Sequence, residues 1–236
     1  MSPFLRAAAL GLVLLFPLAQ AGRAEAPPYL APGAIDPAKV LPPPPAAGSR
    51  EAQADLLAVL QAQAWRTPAE VAWAQFVAKD FFDTYDMGIL GPWYTEHDYP
   101  LTYALQRQIS SEDEAVSNAA KKLFQRDRPF RADARVHPCV SLPKSGSYPS
   151  NHAFGAYVWA ALLSQVFPEH AADLAAQADR IAWGRVIGGV HFPSDTVAAK
   201  LLAQAFMKRL MENPDFRKAL DACRAEAAKR QAQRAA

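Results

Sequence analysis

Three short stretches of this chain gather residue types that handle phosphoryl groups. The first is KKLFQRDRP, in which Lys121 and Arg128 are separated by six residues. The second is Gly146-Ser147-Tyr148-Pro149-Ser150-Asn151-His152, and the third is GRVIGGVHFPSD, which holds Arg185, His191 and Asp195. Lys121, Arg128 and Arg185 are three cations, Ser150 is a hydroxyl donor, and His152 and His191 are two imidazoles. A phosphoryl transition state needs cations on its equatorial oxygens, an in-line nucleophile and a proton for the departing alkoxide. This set supplies each of those without a metal.

The local grammar gives each group a role. Ser150 follows Pro149 and precedes the apolar run AFGAYVWAALL, so it is a helix N-cap. Free N–H groups at that helix start favour a bound anion, with the His152 ring in the first turn beside it. Pro193 and Ser194 open another helix just after His191. Asp195, four residues beyond His191, then reaches one imidazole nitrogen, fixing the tautomer and leaving the other nitrogen basic. Gly188 and Gly189 would let the backbone approach a ligand closely. Taken singly, each stretch also reads as ordinary structure: solvated charges, a capped helix, a structural His–Asp pair. Only the joint set argues for chemistry.

The elements that must position these residues are helical. Residues 50–64 carry Leu56, Leu57, Val59 and Leu60 at helical spacing. Thr67-Pro68-Ala69-Glu70 is a capping box with proline in the first turn. Ser111-Glu112-Asp113-Glu114 predicts a helix that opens there and runs through Leu123, with acidic residues at its positive end. Residues 86–100, with Gly88, Gly91, Pro92 and Pro100, read as a loop, and 128–147 as an irregular segment. Further helices are predicted at about 151–166, 168–182, 194–212 and 214–231. No alternating strand pattern of useful length and no repeat appears, so the expected fold is all-α, a compact helical bundle. Tyr148, Phe154, Trp93 and Tyr94 are open to two readings, an entrance for nucleoside or aryl groups and plain packing.

A length of 236 residues with 51% hydrophobic and 20% charged residues fits one globular domain, and a net charge of +2 with dispersed basic residues argues against a nucleic-acid partner. Arg6, the apolar run from Ala7 to Leu18 and the small residues of Ala19-Gln20-Ala21 read as a secretory signal spanning 1–21, with an alternative cut after Ala26. The run is short for a bilayer span and no other stretch of about 20 apolar residues exists, so no stable membrane insertion is expected. Residues 22–49, with Leu41-Pro42-Pro43-Pro44-Pro45, form a proline-rich arm ahead of a single domain over 50–236. Export to a periplasmic or extracellular compartment would let Cys139 and Cys223 form a disulfide, with two free thiols as the alternative.

Lys-x6-Arg-Pro, the Pro-Ser-Asn-His string and Arg-x5-His-x3-Asp resemble the three-part signature of the phosphatidic acid phosphatase type 2 and vanadium haloperoxidase superfamily. With GSYPSNHA and LPPPPAAGS, the chain looks most like the bacterial class A non-specific acid phosphatases. The resemblance implies an all-helical fold and a metal-independent hydrolase acting on small phosphomonoesters of many kinds, with no cofactor and with vanadate as inhibitor. It implies His191 as the nucleophile, Asp195 as its orienting carboxylate and His152 as the general acid. Lys121, Arg128, Ser150, the N–H of Asn151 and Arg185 would hold phosphate. Members of that family are commonly periplasmic and oligomeric. The chain departs from the pattern at Asn151, where glycine is usual, and at Gly184, where serine is usual. A vanadium-dependent haloperoxidase and a catalytically altered phosphate-binding protein are the alternative readings.

Overall fold

Asn151 to Val166 is apolar on every side, and a helix of that kind has to be surrounded. In the structure, a computed structural model describing residues 27–79 and 85–235, it is the central helix, with ten residues buried. The described residues form nine α-helices and no strand: α1 (Pro37–Val40), α2 (Arg50–Trp65), α3 (Pro68–Val77), α4 (Pro100–Phe124), α5 (Pro129–Ala132), α6 (Asn151–Val166), α7 (Ala171–Ile187), α8 (Pro193–Glu212) and α9 (Pro214–Ala235). Helix α6 packs chiefly on α7 and α8, and α4 and α9 close its other sides. Its core partners include Leu174, Ile181, Leu202, Phe206 and Leu220. The expected all-α bundle is what the chain adopts. The proposed signal over 1–21 lies outside the described residues.

Most helix starts follow the predicted grammar. Ser49 caps α2, accepting from the Ala52 N–H at 3.1 Å, and Thr67 and Glu70 close a capping box on α3. Helix α4 departs from expectation. It does not open at Ser111 but runs unbroken for 25 residues from Pro100. Its first amides are capped from far along the chain, by Glu226 of α9, whose carboxylate accepts from the Leu101 and Thr102 N–H groups at 2.9 and 3.1 Å. Ser110 and Ser111 are mid-helix and return their hydroxyls to the Gln106 and Gln108 carbonyls. Glu112, read as a helix-start charge, instead accepts from the Tyr29 and Leu30 N–H groups at 2.8 and 2.9 Å and ties down the arm. Residues 86–90 wind into one π-helical turn where a loop was expected.

The arm contributes to the core: Ile35 and Leu41 are buried, and the Tyr148 hydroxyl donates to the Pro42 carbonyl at 2.7 Å. The aromatics left open by the sequence are packing residues. Tyr94, Tyr148 and Phe154 are buried, Trp93 packs edge-on against Phe167, and Phe154 packs edge-on against Phe206. No disulfide joins Cys139 to Cys223. The Cys139 thiol faces the Ile187 carbonyl, while Cys223 is buried on α9 beside Thr102, where desolvation pushes its thiol up to about 11. Among the described residues no helix is long and apolar enough to cross a membrane.

Candidate active site

The three stretches meet where α4, α6, α7 and α8 converge, and backbone hydrogen bonds stitch them together. Ser147 N–H donates to the Arg126 carbonyl at 2.8 Å, joining the first stretch to the second. Ser150 N–H donates to the Asp195 carbonyl at 3.1 Å, joining the second to the third. The Tyr148–Pro149 bond between them is cis. Ser150 then caps α6 with its hydroxyl, 3.4 Å from the Ala153 N–H.

His191 lies in the turn between α7 and α8 and is 2% exposed. Its Nδ1 is 3.2 Å from Asp195 Oδ2, and its Nε2 is 3.0 Å from the Arg128 guanidinium. A guanidinium can only donate, so Nε2 is the unprotonated nitrogen and Nδ1–H donates to the carboxylate. Burial, with Arg128, Lys121 and Arg185 around it, holds the ring's pKa well below the usual imidazole range. The result is a neutral imidazole whose Nε2 lone pair faces cations, the state a nucleophile for an anionic ester requires.

Asp195 is fully buried and accepts four donors. Oδ2 takes the Ser147 hydroxyl at 2.6 Å, the Phe192 N–H at 2.8 Å and His191, while Oδ1 takes Arg126 at 2.7 Å. Arg126 also spans 2.7 Å to Asp55 of α2 and to the Ser194 hydroxyl, and its guanidinium lies 4.1 Å over the Phe192 ring. A relay of alternating charge, Asp55–Arg126–Asp195–His191, therefore runs from α2 to the imidazole. Arg126, Asp55 and Ser147 were not among the residues the sequence singled out. The available signal was Arg126 two positions before Arg128 in a non-helical stretch, a spacing that can put both side chains on one face.

Arg128 is buried and spends its donors on the Ser145 carbonyl and hydroxyl, the Val190 carbonyl and His191. Arg185, on the last turn of α7, is 2% exposed, and its Nε and Nη1 have no hydrogen-bond partner among the described residues. A buried guanidinium with two idle donors is costly unless an acceptor joins it. Lys121, expected as a direct phosphate ligand, sits differently: its ammonium donates to the Gly146, Ser147 and Pro149 carbonyls at 3.0, 3.3 and 2.6 Å. Burial, then Arg128, lowers its pKa to about 7. It thus locks the loop ahead of α6 while adding positive potential to the pocket.

His152 is half-buried in the first turn of α6 and hydrogen-bonds the Ala78 backbone. Burial, then Arg185, pushes its pKa down to about 3. Asn151 turns its side-chain carbonyl to the Ser117 hydroxyl of α4. Its side chain thereby forms part of the wall of a cavity of about 320 Å³ that His152 also lines.

Two glycine expectations change. A Cβ at Gly184 would come within 3.2 Å of Trp73 and Val77, so close packing of α3 on α7 explains why serine is absent there. Gly189 has φ +72°, and a Cβ on it would be 3.2 Å from the Pro138 backbone. The close approach made by Gly188 and Gly189 is to residues 136–140 of the chain itself. No cluster of three or more His, Cys, Asp or Glu side chains suited to a metal occurs among the described residues.

The chain is similar to several known proteins. A relative from Providencia stuartii named non-specific acid phosphatase is 29% identical over 208 residues, covering 83% of this chain and 82% of its own. One of the same name from Salmonella typhi is 33% identical over 143 residues, covering 58% and 57%. The crystal structure of the transmembrane PAP2-type phosphatidylglycerolphosphate phosphatase of Bacillus subtilis shares the fold, with a TM-score of 0.50 and 19% identity over 70% of this chain and 87% of that one. The PAP2 superfamily profile matches residues 102–217, the span that holds all three stretches. In that span and in those relatives, the chain is similar to the PAP2 superfamily.

Proposed function

We propose that this chain is an acid phosphatase that hydrolyses phosphate monoesters of many kinds through a phosphohistidine on His191. The observation that carries the reading is the neutral Nε2 of His191 held beside Arg128, in a cation cluster with the idle donors of Arg185. Relatives named acid phosphatase support it. The phosphoryl group binds between Arg128, Arg185, Ser150 and the first amide of α6, in the field of Lys121. Nε2 attacks phosphorus in line, the P–O bond to the leaving group breaks, and His152 gives that oxygen a proton. Water then attacks the phosphohistidine, returning its proton to His152 and releasing phosphate and free His191. The side chains cover every step, so the reaction is metal-independent and vanadate, a transition-state mimic, inhibits it. The amino-terminal signal and export to the periplasm or beyond belong to the same proposal.

The test is hydrolysis of p-nitrophenyl phosphate at about pH 5.5 in EDTA, with and without vanadate. Turnover that EDTA spares and vanadate blocks is expected. No turnover, or bromide oxidation on vanadate loading, would replace this reading with the binding-protein or haloperoxidase one.

The pH profile follows from the histidines. With the site empty, both imidazoles are neutral across the acid range, so the proton that His152 must pass on arrives with the substrate monoanion. As pH rises through the ester's second pKa, about 6 for a phosphate monoester, that proton is lost and kcat/KM falls. The alkaline limb should therefore move with the substrate, lying lower for an aryl than for an alkyl ester. A limb fixed near Lys121's value of about 7 for both esters would assign it to loss of the Lys121 cation instead.

A further inference from the structure

We propose that the cavity beside His152 selects the leaving group, accepting alcohols that bring hydrogen-bond donors and no negative charge, and rejecting those that carry a second anion. This rests on the reading of His152 as the residue facing the leaving oxygen.

The cavity, about 320 Å³, lies between α4 and the start of α6, and Ser110, Asp113, Glu114, Ser117, Asn151 and His152 line it. It is large enough for a small polyol or amino alcohol. One wall is the α4 stripe, since residues three and four apart share a helix face. The stripe offers two carboxyl groups and two hydroxyls. Ser117 is committed to Asn151, and Ser110 returns its proton to Gln106. Hydrogen-bonded in this way, both hydroxyl oxygens retain acceptor capacity. Asp113 is half-buried and has no hydrogen-bond or ion-pair partner among the described residues. Desolvation, then the neighbouring Glu114, raises its carboxyl to about 8, the behaviour of an acidic group that lacks a donor or cation beside it.

Such a wall matches the hydroxyls of a polyol or the ammonium of an amino alcohol. A ligand carboxylate or second phosphate placed there would meet the Glu114 carboxylate and the neutral carboxyl of Asp113, with no compensating cation among the described residues of the wall. Apart from the His152 ring, the described residues that line it offer no aromatic surface for a base or aryl ring. The aromatics that might have done so are spent in the core. The cations that hold the phosphoryl group belong to Arg128 and Arg185, outside this wall, so the enzyme can favour one anion on the substrate and disfavour a second.

The experiment compares three small esters of similar size: O-phosphoethanolamine with an ammonium, glycerol 1-phosphate with hydroxyls, and phosphoglycolate with a carboxylate. The expected order of kcat/KM in the wild-type enzyme is the first two above the third. Glu114→Gln should narrow the ratio of phosphoethanolamine to phosphoglycolate by about five- to tenfold, the effect of one charge pair near a protein surface, whereas Asp113→Asn, which exchanges one neutral group for another in the acid range, should leave it nearly unchanged. Glu114→Lys, at an exposed position, should shift the ratio further toward phosphoglycolate. Each ratio is taken within one protein sample, so loss of folded enzyme cancels. Separate responses of the amine and the polyol show which donor the wall reads. Phosphoglycolate turned over as well as the other two, or ratios unmoved by both Glu114 variants, would overturn the proposal. Wild-type turnover of p-nitrophenyl phosphate, run alongside, separates that outcome from failure of the phosphatase reading itself.

Discussion

His191→Ala is expected to lower kcat on the order of 10⁴-fold or more, the scale of losing a catalytic nucleophile, while leaving the fold intact. The unprotonated nitrogen of this imidazole lies against the Arg128 guanidinium. His152, the other ring, is turned to the Ala78 backbone. The fold should tolerate the loss because both neighbours retain partners. Asp195 keeps Arg126, Ser147 and the Phe192 amide, and Arg128 keeps Ser145 and Val190. Rapid quenching of the wild type during turnover should trap a phosphoenzyme that alkali preserves and acid releases, and the variant should trap none. A variant that retains turnover within tenfold of wild type, or still forms the intermediate, would remove His191 from the chemistry.

Arg126→Leu is the substitution with the largest expected effect on stability. The guanidinium compensates two carboxylates at once, with side-chain exposures of 10% for Arg126, 8% for Asp55 and 0% for Asp195. Removing one partner of a buried pair leaves an uncompensated charge, at a cost of about 3–5 kcal/mol. In a domain of this size that lowers Tm by about 10 °C or more. Arg126 touches neither substrate nor the reacting nitrogen, so it acts as a positioning residue through Asp195. Its kinetic signature is a fall in kcat greater than any change in KM, because His191 loses its fixed tautomer. Adding Asp55→Asn to Arg126→Leu should recover stability without recovering kcat. A Tm within about 2 °C of wild type for Arg126→Leu, well inside what one buried charge should cost, would show that the relay is not energetically coupled.

How much of this could be read from the sequence depends on how local each cause is. Starts of α3, α6 and α8 were legible because their caps and prolines lie within three residues of the helix. The grouping of His191 with Asp195 was legible because four residues is one helical turn. Helix α4 was misread at its start because Glu226, which caps it, lies more than 120 positions away. The acidic run at 112–114, lacking its local role, was free to tie the arm and line a cavity. Arg126 and Asp55 are 71 positions apart, and no spacing rule predicts that they meet. The carbonyl partners of Lys121 were not legible, because they depend on how the 146–149 loop folds back. Gly184 looked like a lost serine until Trp73 of α3 was seen packed against it.

The continuity of α4 has a consequence for how this enzyme can diversify. Asp113, Ser117 and Lys121 stand one turn apart on a single uninterrupted rod, held at one end by Glu226 and along its length by the arm. The residues proposed to select the leaving group lie toward the middle of that rod, and the Lys121 lock on the 146–149 loop lies near its far end. Residues at 110, 113 and 114 can therefore vary without touching the lock that Lys121 places on the 146–149 loop, whereas Ser117 is tied to Asn151. A family that samples many alcohols with one chemistry would gain from such a separation. Here it comes from a helix that declines to stop at a serine.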